Sequence, residues 1–100
     1  MKVNVQAVNF NVDKKLVVFV EEKLSKLEKY FDKIVSTDVY LRVENTSDKE
    51  NKEVEIKVQV PGDELVIKKT CKTFEEAVDS AEQSLERMLV KYKEKIRAHV

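Results

Sequence analysis

Apolar side chains recur along this chain with two different periods, and the switches between them mark out its elements. Val3, Val5 and Ala7 alternate with Lys2, Asn4 and Gln6, a period of two that predicts a half-buried strand to about residue 9. Asp13 then stands where a helix N-cap belongs, with Val12 and Val17 spaced for a hydrophobic staple around it. From there Leu16, Val20, Leu24, Leu27, Phe31 and Ile34 recur at three- and four-residue steps. That spacing predicts a helix over 14–33 with one buried stripe, bordered by Phe19 and Tyr30.

Alternation returns in Val39, Leu41 and Val43 against Tyr40, Arg42 and Glu44, a second strand over 37–45. Residues 45–51 carry no apolar side chain and read as a hairpin loop in water. Val54, Ile56, Val58 and Val60 give a third strand, and a fourth runs from Leu65 to about Cys71. Between them Pro61-Gly62-Asp63 is a turn, because proline pre-sets one backbone angle and glycine permits a positive φ. The last element is a helix over 73–98, opened by the capping box Thr73-Phe74-Glu75-Glu76. Its buried stripe is Phe74, Val78, Ala81, Leu85, Met88, Leu89, Tyr92 and Ile96.

The order is therefore β-α-β-β-β-α, an α+β fold. Short loops make strands two to four an antiparallel meander, and a right-handed helical crossover makes strands one and two parallel. Each strand has one apolar side, so both helices are expected on one face of a mixed four-stranded sheet, with water on the other.

One hundred residues suit one domain with a modest core. Charged residues make up 38% of the chain, well above the usual quarter, yet 19 basic and 19 acidic residues cancel. Zero net charge argues against a nucleic-acid binder unless the two signs are separated in space. A lone cysteine, Cys71, has no partner for an internal disulfide, and no apolar run is long enough for a signal peptide or a membrane span. A reducing cytoplasm is the expectation.

Catalytic chemistry finds little to stand on. The single histidine, His99, is the penultimate residue, and the single glycine rules out a glycine-rich phosphate loop. No Cys/His cluster has metal-ligand spacing. No enzyme, metal, cofactor or small-molecule substrate is expected.

The charges are nevertheless sorted. At about 100° per residue, Lys15, Lys23, Lys26, Lys29 and Lys33 gather on one flank of the first helix, and Glu21, Glu28 and Asp32 on the other, with Glu22 out of place. On the last helix Arg87, Lys91 and Lys95 lie beside Ser84 on one flank, and Glu75, Asp79, Glu82 and Glu86 on the other. A soluble surface explains charged helix faces in general. Sorting in the same manner on both helices, with Phe19, Tyr30 and Tyr92 at the basic borders, suits RNA instead: cations neutralise phosphates and aromatic edges stack on bases or ribose. The two basic flanks are expected to line a shared groove.

Two stretches carry a family resemblance. KLSKLEKYFDKI at 23–34 resembles the first-helix signature of bacterial ribosome hibernation promoting factors and the related ribosome-associated inhibitor, and LERMLVKYKEK at 85–95 resembles their second-helix signature. The resemblance covers essentially the whole chain and implies a fold related in shape to double-stranded RNA-binding domains. It also implies a single ribosome-binding domain over 1–100 that occupies the mRNA and tRNA channel of the small ribosomal subunit and silences translation in stationary phase or starvation. The rRNA-contacting positions of the family fall on Lys23, Lys26, Lys29, Arg87, Lys91 and Lys95. Lys15, Tyr30, Lys33, Tyr92 and Lys93 are further candidates.

The chain departs from the family at Ser84 and Val17, where relatives carry basic residues, and in a longer, more acidic loop over 45–53. The domain by which long relatives pair two ribosomes is not expected, so joining ribosomes would need a second protein such as the ribosome modulation factor. Two alternatives stand beside this reading: a protein-interaction module modulating a sigma factor, and a general double-stranded RNA binder.

Overall fold

Each alternating segment forms a strand of one mixed sheet in the computed structural model, which describes residues 1–97. The strands β1 (Lys2–Val8), β2 (Ser36–Val43), β3 (Lys52–Val60) and β4 (Asp63–Cys71) lie side by side in chain order. β1 runs parallel to β2, and the other two pairs are antiparallel. The register aligns the apolar sets, so Val5, Val39, Ile56 and Ile67 form one row across the sheet. The helices α1 (Lys14–Ser25) and α2 (Phe74–Arg97) cover that apolar face, as the alternation requires.

The ends of the elements have local causes. β1 stops at Val8 because Asn9 adopts φ 62°, a left-handed conformation that asparagine tolerates and that breaks the ladder. Asp13 caps α1 by accepting from the Lys15 amide at 3.1 Å. Gly62 holds φ 80° behind Pro61, the geometry of a type II turn, so β3 and β4 join through two residues. Thr73 Oγ1 accepts from the Glu76 amide at 3.1 Å, which forms one half of the expected capping box.

Two helical expectations are corrected. The first helix does not run to residue 33: α1 ends at Ser25, and Lys26–Lys29 tighten into a 3-10 turn. The Ser25 hydroxyl donates to the Glu22 carbonyl at 2.8 Å, and the Tyr30 and Phe31 amides both donate to the Leu27 carbonyl. The turn and the irregular segment after it still bury Leu27, Phe31 and Ile34, so helical spacing is kept there without an α-helix. On α2, Ile96 is 38% exposed rather than buried. Tyr92 bonds to Pro61 at the end of β3, so the last turn of the helix runs past the sheet. Ala98 and His99 lie outside the described residues.

Candidate nucleic-acid interface

α1 and α2 run the same way across the sheet, and the seam between them decides which flanks meet. Lys23 Nζ on α1 lies 2.9 Å from Asp79 on α2, Tyr30 lies beside Glu86, and Phe31, Asp32 and Lys33 flank a groove shared with Lys93, Ile96 and Arg97. The basic flank of α1 therefore faces the acidic flank of α2. The expected groove lined by two basic flanks is not formed; the apolar stripes set the rotation of each helix, and that rotation turns opposite signs inward. Lys23 is held above the usual lysine range by its bond to Asp79, with Glu82 and Glu86 adding to the field. Its ammonium is partly neutralised before any ligand arrives.

The other basic flank stays open. Arg87, Lys91 and Lys95 are exposed on α2. A groove of about 420 Å3 brings Arg87 and Lys91 together with Tyr30, Glu86, Val90 and Glu94. Val90 is 42% exposed and supplies an apolar wall next to the Tyr30 ring. The Tyr30 hydroxyl leans on the Glu86 carboxylate, which raises the phenol and lowers the acid. Arg87 donates to Ser84 Oγ at 3.3 Å, so the serine that replaces an expected cation instead orients one.

The remaining candidates fall in separate places. Lys23 and Lys26 flank a shallow depression with Phe19 and Glu22, and Lys23 Nζ lies 5.9 Å from the Phe19 ring centroid. Lys29 is exposed one 3-10 turn from Lys26, and residues three apart in such a turn share a side. Lys33 and Lys93 meet Arg97 around the groove at the end of the seam. Lys15 sits apart, with Lys14 and Val18 at the start of α1.

Tyr92 has a structural role. Its hydroxyl donates to the Pro61 carbonyl at 2.7 Å and its ring meets Phe31 edge-on at 5.4 Å. Arg97 escaped the sequence reading, although its spacing of four from Lys93 on one helix face was a usable signal. Glu82, on the acidic flank of the last helix, is only 4% exposed.

The opposite face of the sheet neutralises itself. Arg42 bonds Glu53 and Glu55 at 3.2 and 3.1 Å, and the Tyr40 ring sits under both Arg42 and Lys57. Asn4 donates to Asp38 across the β1–β2 pair. Arg42 is therefore already paired, whereas Arg87 and Lys91 on α2 are exposed. Among the described residues no group of three or more His, Cys, Asp or Glu side chains is placed to hold a metal, and no helix is long and apolar enough to cross a membrane.

Residues 3–97 match the model of the family described as sigma 54 modulation protein / S30EA ribosomal protein. The chain belongs to this family. It is 36% identical over 95 residues to the ribosome hibernation promoting factor of Pseudomonas putida, covering 95% of this chain and 89% of that one. To the ribosome hibernation promoting factor of Escherichia coli K12 it is 32% identical, over 99% of this chain and all of that one. The corresponding factor of Bacillus subtilis is 34% identical, and the match spans 50% of its length. Among solved structures, a ribosomal subunit interface protein from Coxiella burnetii superposes with a TM-score of 0.82, covering 93% of this chain and 98% of that one at 22% identity. At that identity the superposition speaks for the fold alone. Family membership and the β-α-β-β-β-α fold thus agree with the sequence reading, and the placement of the cations refines it.

Proposed function

We propose that this chain is a ribosome hibernation factor that seats its helical layer against rRNA of the small ribosomal subunit and excludes mRNA and tRNA from the decoding channel. Arg87 and Lys91 are the principal phosphate ligands, since they are exposed and lie with the Tyr30 edge around one groove. Lys26 and Lys29 extend the contact along the 3-10 turn, Lys95 along α2, and Lys33 with Lys93 and Arg97 at the end of the seam. Lys23 contributes less than its position in the signature implies, because phosphate must compete with Asp79 for it. The blocking is steric and needs no reaction, cofactor or metal. It places the protein in the cytoplasm with the ribosome.

The observation that carries this reading is the grouping of Tyr30, Arg87 and Lys91 on the outer side of the helical layer, in a chain 36% identical to a named ribosome hibernation promoting factor. Co-sedimentation with purified vacant small subunits over a salt series, with and without mRNA and initiator tRNA, tests it. Binding that weakens with salt and is displaced by mRNA and tRNA supports the reading. A variant with Lys26, Arg87 and Lys91 all changed to Glu should fold and fail to co-sediment. Unchanged co-sedimentation of that variant would overturn it.

A further inference from the structure

Glu82 is the carboxylate that the proposed function leaves without a task. It sits on α2 one turn from both Asp79 and Glu86, and its Oε2 is enclosed without a hydrogen-bond partner. A buried carboxylate ordinarily carries a cation or hydrogen bonds that repay its lost hydration. The charged groups around it are already engaged with one another. From α1, Lys23 is bonded to Asp79. From the 3-10 turn Lys26 contributes only at a distance, and Tyr30 leans on Glu86. On α2 itself Glu86 is the immediate neighbour, with Arg87 acting on Glu86 from beyond. The sheet beneath α2 offers Val54, Ile56, Val58, Leu65 and Ile67, while Cys71 lies toward Glu76 at the start of the helix.

Two carboxylates one turn apart, one of them buried, do not both ionise readily. A proton on Glu82 lets it donate to Glu86, which makes the pair singly charged. Burial pushes the Glu82 carboxyl up to about 7, while Glu86 is held low by the same bond and by Tyr30. Loss of the proton to water adds a second negative charge near Lys23 of α1 and Lys26 of the 3-10 turn.

We propose that Glu82 and Glu86 hold one shared proton in the helix seam, and that its release weakens the grip of this surface on RNA phosphate, so that the chain binds the small ribosomal subunit more tightly in mild acid than in mild alkali. The inference rests on the function proposed above and adds a regulation to it. The proton is the ligand, and Lys23 and Lys26 are the readout. By linkage, phosphate bound to those lysines must in turn favour the protonated pair.

The test measures affinity for purified small subunits from pH 6 to pH 8 at fixed ionic strength, for the unaltered chain and for Glu82→Gln in parallel. Every other titratable group is common to the two proteins, so the difference between their pH profiles isolates Glu82. The unaltered chain should weaken about two- to fivefold across the range, as follows from a bound-state shift of roughly half to one pH unit for a group titrating at about 7. Glu82→Gln should bind as tightly at pH 8 as at pH 6, apart from the background common to both. Equal slopes would overturn the proposal. A second variant, Glu86→Gln, removes the other holder of the proton and should make the profile shallower without flattening it, because the burial of Glu82 remains.

Carbon-13 titration of the Glu82 carboxyl and retention on heparin over the same pH range separate this proposal from the ribosome reading. No subunit binding at any pH overturns the proposed function. In that event, heparin retention that falls with pH in the unaltered chain but not in Glu82→Gln still supports the proton-linked surface. A Glu82 carboxyl that titrates in the ordinary carboxylate range overturns it whatever the binding data show.

Discussion

Tyr92 ties two layers together with one side chain. Its ring packs edge-on against Phe31 and its hydroxyl donates to the Pro61 carbonyl at the β3–β4 turn. Tyr92→Phe should therefore cost about 1 kcal/mol in urea unfolding, the usual net worth of such a bond, and leave ribosome affinity unchanged. Glu82 makes the opposite kind of contribution. Its carboxyl is raised in the folded chain to about 7, so the folded state binds a proton that the unfolded state releases near 4.5. The stability tied to that proton is complete below the ordinary carboxylate range and is lost as pH rises through about 7. The melting temperature should fall between pH 5 and pH 8, by the equivalent of order 2 kcal/mol, and Glu82→Gln should abolish most of that fall. Neither role was legible from the residue alone: a tyrosine at a stripe border and a glutamate beside it become distinct only when the neighbouring helix and turn are in place.

At the scale of elements, the chain announces its own boundaries where a side chain bonds the backbone. Asp13 and Thr73 both do so, through the Lys15 and Glu76 amides. Thr73→Ala should destabilise the protein by about 1 kcal/mol through loss of the cap, as read from its chemical denaturation midpoint. At the end of α1 the apolar pattern misleads. Leu24, Leu27, Phe31 and Ile34 keep helical spacing across the point where α1 gives way to the 3-10 turn. Spacing of three and four residues reports which side chains share a side, and a tight turn followed by an irregular segment can bury the same set. The strands were more transparent, because a period of two has few competitors and a slip of one residue would have turned Val39, Leu41, Val54 and Ile56 into water.

For the whole molecule, the sorting of charge was legible and its geometry was not. Each helix shows its basic and acidic flanks in sequence, but which flanks meet depends on how two apolar stripes rotate onto a common sheet. That rotation set Lys23 against Asp79 and left Arg87 and Lys91 outside. If the exposed pair carries the phosphate contacts, changing Arg87 and Lys91 together to Ala should reduce the slope of log affinity against log salt for small-subunit binding by about one and a half to two. Lys23→Ala should change it by much less, since that cation is already paired. An equal loss in the two variants would show that the seam opens on binding.

The self-neutralised seam and sheet face have a consequence for how the molecule travels. With 19 positive and 19 negative residues it has no net charge, so its pull on a distant polyanion is that of a polarised body, which fades faster with distance than that of a charged one. Salt confines it further, to about 8–10 Å. Stray RNA should therefore detain it little during its search. Capture begins only at near-contact, with the helical layer already turned toward the phosphates, so orientation precedes adhesion.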